Sequence, residues 1–264
     1  ILLSFLIIHW FLQLTAQTTY NFEMQKPAGW SGAGLYSFNG TGYSPAGVKT
    51  WPGITLTQIG STNYYYGTFT CSGSPTIIFN QSGASASSNQ TTNITSPVNG
   101  GYYVYSSGSG SSQVFVTSTA PNTINNPSQT SLTFNTSVGS NSASQLVTIS
   151  GSVLVAAGVT VTAPAYYQLS TDNSSWTASG GSLTYTPTSG TLATSNLYIR
   201  YVPTGAETSV AKQITLTSLF ASNKTITVTG TASVAGPTIA LGSTSATFNT
   251  NAGTTSASQS CSIS

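Results

Sequence analysis

Lys212 to Thr217 (KQITLT) and Lys224 to Thr229 (KTITVT) alternate polar residues with Ile, Leu or Val. Asn196 to Val202 (NLYIRYV) sets Leu197, Ile199 and Tyr201 against Tyr198, Arg200 and Val202, and Val159 to Ala163 and Tyr167 to Leu169 continue the pattern. A period of two sends successive side chains to opposite faces of a strand, so each segment has one apolar row that only a second sheet can cover. Turn chemistry separates the segments, at Asp172-Asn173, Gly180-Gly181, Pro203-Thr204-Gly205 and Ser222-Asn223. Residues 128–236 are therefore expected to form an all-β unit, a β-sandwich of immunoglobulin type with roughly six to eight strands. The Cys…Trp…Cys framework of antibody domains is absent from it.

The same unit starts twice. Thr130 to Ser150 (TSLTFNTSVGSNSASQLVTIS) and Thr244 to Ser264 (TSATFNTNAGTTSASQSCSIS) match at 13 of 21 positions without a gap. Self-similarity at a fixed offset marks repeated domains. Residues 237–264 are thus expected to begin a second, truncated copy. The complete copy resembles Ig-like repeats of large secreted and surface proteins of Bacteroidota. The resemblance rests on SASQ (Ser142 to Gln145), Gly151-Ser152, Val161 to Pro164, Tyr167 to Ser170, Tyr198 to Pro203 and Val228 to Ala232, in that order. It implies a spacer or surface domain.

Charge narrows the function. Only 3% of residues are charged, against about 25% in ordinary domains. The acids Glu23, Asp172 and Glu207 are far apart, and the one histidine, His9, lies in an apolar leader. Acid–base catalysis needs a positioned titratable group and zinc needs several clustered ligands. An enzyme within these residues is not expected, nor a metal or cofactor. The dispersed basic residues give no footprint for nucleic acid. Cys71 and Cys261 are read as unbridged, small apolar strand residues.

Residues 1–16 begin with Ile1 to Leu14 (ILLSFLIIHWFLQL) and close on Thr15-Ala16. A run this short, below the roughly 20 residues of a membrane span, fits the apolar region of a secretory signal, read as incomplete and cleaved after Ala16. The expected location is extracellular or at the cell surface, with no membrane association after cleavage.

Residues 17–119 form a different unit, again expected to be a β-sandwich, joined to the next by a linker at 120–127. Its charges are Glu23, Lys26 and Lys49. Trp30, Tyr36, Phe38, Tyr43, Trp51, Tyr64, Tyr65, Tyr66, Phe69, Phe79, Tyr102, Tyr103 and Tyr105 crowd into it, more rings than the core of one small sandwich requires. Trp30 and at least one of Tyr64 to Tyr66 are assigned to the core. Exposed aromatic patches mark binding surfaces. Rings beside Asn and Gln suit a neutral, hydroxyl-rich ligand, which stacks its C–H faces and bonds its hydroxyls to amides.

Lys26 to Trp30 (KPAGW), Leu35 to Phe38 (LYSF), Trp51-Pro52-Gly53 with Leu56-Thr57, Tyr64 to Thr70, Ile77 to Asn80 (IIFN), Gln90-Thr91 and Gly101 to Tyr103 follow in order. Over residues 20 to 106 this resembles carbohydrate-binding module family 26, a starch-binding family. The resemblance implies non-catalytic binding of starch or maltooligosaccharides in an aromatic cradle of Tyr36, Phe38 and Trp51. Phe38 stands where the family has a second Tyr. Lys49, Asn80 and Gln90 are the candidate hydrogen-bonding residues, and Ser82 to Asn89 reads as an insertion. An α-amylase domain elsewhere in a longer parent fits the same reading. The competing expectation is a structural or adhesive stalk whose aromatics are buried.

Overall fold

The computed structural model describes residues 16–82, 89–234 and 245–262. The leader Ile1 to Leu14 and most of the Ser82 to Asn89 insertion lie outside the described residues. The fold is all-β, and two sandwiches follow one another in the chain.

The first sandwich contains β1 (Thr18–Gln25), β2 (Gly34–Phe38), β3 (Thr41–Ser44), β4 (Ile54–Thr55), β5 (Thr57–Gln58), β6 (Tyr64–Ser72), β7 (Thr76–Asn80), β8 (Gly101–Ser107) and β9 (Val114–Ser118). One sheet runs β3-β6-β1-β8-β9, with β5 also on β6, and the other runs β4-β2-β7. Side chains from both sheets meet in a core that includes Phe22, Met24, Leu35, Phe69, Ile77, Phe79 and Tyr103. Trp30 and Tyr65 are in this core, as is the unbridged Cys71. Seven of its members are aromatic: Phe22, Trp30, Tyr65, Phe69, Phe79, Tyr103 and Phe115. The core thus absorbs much of the ring surplus.

The second sandwich contains β10 (Thr123–Ile124), β11 (Ser131–Ser137), β12 (Gln145–Ser152), β13 (Val159–Thr162), β14 (Tyr167–Ser170), β15 (Ser182–Tyr185), β16 (Leu192–Tyr201), β17 (Glu207–Thr217) and β18 (Lys224–Ser233). Its sheets run β10-β12-β16-β14 and β11-β18-β17-β13-β15. The alternating rows named from the sequence do the packing: Leu197, Ile199 and Tyr201 face Ile214, Leu216, Ile226 and Val228. At the expected turn, the Asp172 carboxylate accepts hydrogen bonds from the backbone N–H groups of Ser174 (2.9 Å) and Ser175 (2.8 Å). These bonds hold its carboxyl below the usual carboxylate range.

Two boundaries differ from expectation. The stretch read as a linker supplies β10, whose Ile124 is buried in the second core. A two-residue strand is too short to show alternation, and its flanking Pro and Asn residues read as linker. Residues 245–262 contain no strand and are exposed, Cys261 among them, in contrast to the strand position read for it. In the complete copy TSLTFNTS forms β11, which pairs in parallel with β18, from Ser131↔Thr227 to Ser137↔Ser233. The matching TFNT segment at residues 247–250 forms no strand.

Trp176 is half-buried, with the Arg200 guanidinium 4.2 Å from its ring centroid. Arg200 Nε also donates to Gln168 Oε1 at 2.8 Å. The ring thus packs under its loop as a partner of β16. Arg200→Ala is expected to lower stability by about 1 kcal/mol, the scale of one cation–π contact, measured by urea denaturation.

The sandwiches meet across the outer face of β1, β6 and β8. Gly60, at φ +56°, lies so close to Ser189 that a Cβ would stand 2.1 Å from its carbonyl oxygen. Tyr66 sets its ring edge-on to Phe220, and Tyr64 does the same with Tyr102. Glu23 lies between, paired across strands with Tyr66 and Tyr102. It is fully buried, and neither carboxylate oxygen has a hydrogen-bond partner. Burial pushes its pKa up to about 8, the neighbouring Asn122 side chain offsetting part of the rise.

Candidate functional site

The sequence of β2 builds one wall of the site. Leu35 and Ser37 point inward and are buried, so Tyr36 and Phe38 share the outer face, both half-exposed. Their ring centroids are 5.6 Å apart and the planes 26° from parallel.

Trp51 reaches this face through a turn. Residues Ala46–Lys49 form a 3₁₀ turn packed on β2 and β3, followed by Thr50, Trp51, a cis Trp51–Pro52 bond and Gly53. The Gly53 N–H donates to Thr50 O at 2.7 Å, and β4 then pairs with β2 through Leu35↔Ile54. Gly53 has φ +91°, and a Cβ there would stand 2.0 Å from Leu35 O and 2.7 Å from Tyr36 Cα. Only glycine fits this position. The close approach delivers the Trp51 ring to Tyr36, with centroids 5.3 Å apart and planes at 71°. Trp51 is half-exposed, and its indole N–H is buried without a partner. Tyr36, Phe38 and Trp51 therefore stand together on one face, two rings roughly parallel and the third nearly perpendicular.

The polar candidates divide. Lys49 is exposed at the end of the 3₁₀ turn, two residues before Trp51. Asn80 is opposite Gly34 on β7 and is fully buried. Its Nδ2 donates to Pro52 O at 2.8 Å, and its Oδ1 packs over Gly34 without a hydrogen bond. Asn80 thus props the Trp51 turn from beneath, a positioning role in place of the ligand contact expected from the sequence. Gln90 bridges Asn80 on the far edge of β7, half-buried, with its Oε1 unpartnered. The signal for the prop was present, since an Asn ending an apolar strand and a Gly after Trp-Pro are both unusual, but only the register joins them.

Neither the protein-family models nor the curated proteins give a match. Among solved structures, the ASH/PapD-like domain 7 of human CEP192 is similar at 14% identity and a TM-score of 0.25, covering 43% of this chain and 87% of that one.

Among the described residues, no three His, Cys, Asp or Glu side chains group so as to hold a metal, and no helix is long and apolar enough to cross a membrane. The remaining early aromatics have other work: Tyr43 Oη accepts from the Gly40 N–H (2.9 Å) and Ser37 Oγ (3.2 Å), while Tyr64, Tyr66 and Tyr102 serve the junction.

Proposed function

We propose that this chain binds starch or a related neutral α-glucan, without catalysis, on the face formed by Tyr36, Phe38 and Trp51. The observation that carries the reading is the angle between the rings: Trp51 stands at 71° to Tyr36. A curved glucan presents C–H faces in more than one direction, and angled rings follow that curvature where coplanar rings suit a flat chain. Lys49 lies exposed nearby, and the Asn80 amide supports the Trp51 turn from below. The setting is a secreted or surface protein in which the Ig-like sandwich acts as spacer. Where an α-amylase domain belongs to the same protein, the module raises its local concentration on starch.

The close backbone packing of Gly60 on Ser189 favours a second reading, a rigid structural or adhesive stalk. The test compares maltoheptaose with cellohexaose at low and high salt. The glucan reading expects binding of the α-linked chain alone, little changed by salt because the ligand is neutral. Binding of neither favours the stalk, and equal binding of both contradicts a face selective for α-glucan.

A further inference from the structure

A groove on the first sandwich, away from the Tyr36 face, is built from Pro27 to Trp30, the turn after β8 and Gln113. Its volume is about 360 Å³, and Asn89, Tyr105 and Gly108 to Gly110 complete the lining. This lies within the roughly 300–1,000 Å³ of small-molecule sites. No charged side chain lines it; the nearby Lys26 ammonium is engaged by the Trp30 and Pro27 carbonyls.

One residue of the lining carries an acceptor with nothing to accept. Gln113 is 5% exposed, and its Oε1 is buried without a hydrogen bond. A relay of amides fixes which end of Gln113 is free. Gln113 Nε2 points to Asn89 Oδ1 (3.4 Å) and Gly110 O (3.5 Å), Asn89 Nδ2 donates to Gln81 Oε1 (2.9 Å), and Gln81 Nε2 donates to Ser31 Oγ (3.0 Å). Each amide directs its N–H₂ to the next acceptor, the last of them to the Ser31 hydroxyl, which leaves Gln113 Oε1 at the open start of the relay. A buried acceptor left unpaired is costly, and a ligand hydroxyl relieves it.

Apolar contact is supplied beside it. Tyr105 is 45% exposed, yet its hydroxyl is tied to Gly108 O at 2.6 Å and its ring edge rests on Phe115. Trp30 is stacked on the same Phe115, with ring centroids 6.1 Å apart. An exposed ring already held in place loses little freedom on binding a ligand.

We infer that this groove is a second saccharide site, taking a neutral sugar that stacks on Tyr105 and donates a hydroxyl to Gln113 Oε1. The inference rests on the reading of the chain as a binder of neutral glycans, but uses none of the residues of the Tyr36 face.

The test is calorimetric titration of the full chain with maltoheptaose, together with Trp51→Ala, Tyr105→Ala, Gln113→Leu and Ala28→Trp. Ala28 and Tyr105 are exposed, so Tyr105→Ala and Ala28→Trp separate loss of binding from loss of fold. The expected result is two binding events. Tyr105→Ala, Gln113→Leu and Ala28→Trp each weaken one of them at least about tenfold, the scale of one lost hydrogen bond or ring contact, and Trp51→Ala removes the other. A single event, abolished by Trp51→Ala and untouched by Tyr105→Ala and Ala28→Trp, overturns the second site and leaves the first standing. Binding lost in Tyr105→Ala but retained in Trp51→Ala does the reverse.

Discussion

Gly53→Ala is expected to destabilise the first sandwich and weaken maltoheptaose binding together. The backbone at φ +91° alone costs a non-glycine residue about 1–3 kcal/mol. The new methyl group would also stand 2.0 Å from Leu35 O and 2.5 Å from Leu35 C. Neither atom is the end of a flexible side chain; both belong to the backbone of β2, so the turn itself must move. Moving it separates Trp51 from Tyr36 and pulls Pro52 O off the Asn80 amide. Asn80→Ala removes the second of these contacts without adding any atom against β2, so its loss of stability should be smaller while the binding defect remains. Urea denaturation beside titration separates the two effects. An alanine variant with unchanged midpoint and affinity would show that the turn is not what places Trp51.

The second large effect depends on pH. Glu23 is buried between the sandwiches with its pKa raised to about 8, against 4.5 for the free side chain. Below about pH 4.5 both folded and unfolded chains hold the proton, and Glu23 does not affect the balance. Between there and about pH 8 the folded chain keeps a proton that the unfolded chain has released, so stability falls as pH rises. Above about pH 8 the full cost of a buried carboxylate is present. Glu23→Gln is therefore expected to stabilise the chain by a few kcal/mol at alkaline pH and to be close to neutral in acid, read as the melting temperature across the range. The mutant should also flatten the pH dependence of wild type. Tyr102 and Tyr64 share this face, and burial raises the Tyr102 hydroxyl well above its usual value. Tyr102 therefore stays neutral where Glu23 titrates. Equal melting temperatures for both proteins at alkaline pH would show that water reaches the carboxylate at the junction.

How far the sequence carried the structure differs by level. Alternation located the strands of the second sandwich because each of its apolar rows faces the partner sheet: Leu197, Ile199 and Tyr201 are all fully buried. It did not locate β10, since two residues carry no period. Nor did it foresee that the repeated TFNT segment at residues 247–250 forms no strand; β11 itself pairs with a strand almost a whole domain later in the chain.

In the first sandwich the period-two rule placed Tyr36 and Phe38 on one face, and the Trp-Pro-Gly turn is what brings in Trp51. The ring surplus was legible as a count, yet its division among core, junction and surface was not. Tyr66 and Tyr102 belong to that surplus: Tyr66 is half-buried against Phe220 of the second sandwich, and Tyr102 is buried beside Tyr64. Asn80 was a plausible ligand contact by composition, and its burial beneath Pro52 follows only from the β2–β7 register. Gln113 carried no signal at all, since an orphaned amide oxygen is a property of its neighbours.

The central claim, a glucan face made of angled rings, is tested most directly by calorimetric titration of the full chain and its Trp51→Ala, Tyr36→Ala double variant with maltoheptaose. Each ring, if it is a hot spot, contributes about 2 kcal/mol or more, so the variant should lose the event assigned to this face at millimolar ligand while keeping the melting behaviour of wild type. A wild-type chain that binds nothing at that concentration, or a folded double variant that binds as wild type does, would contradict it.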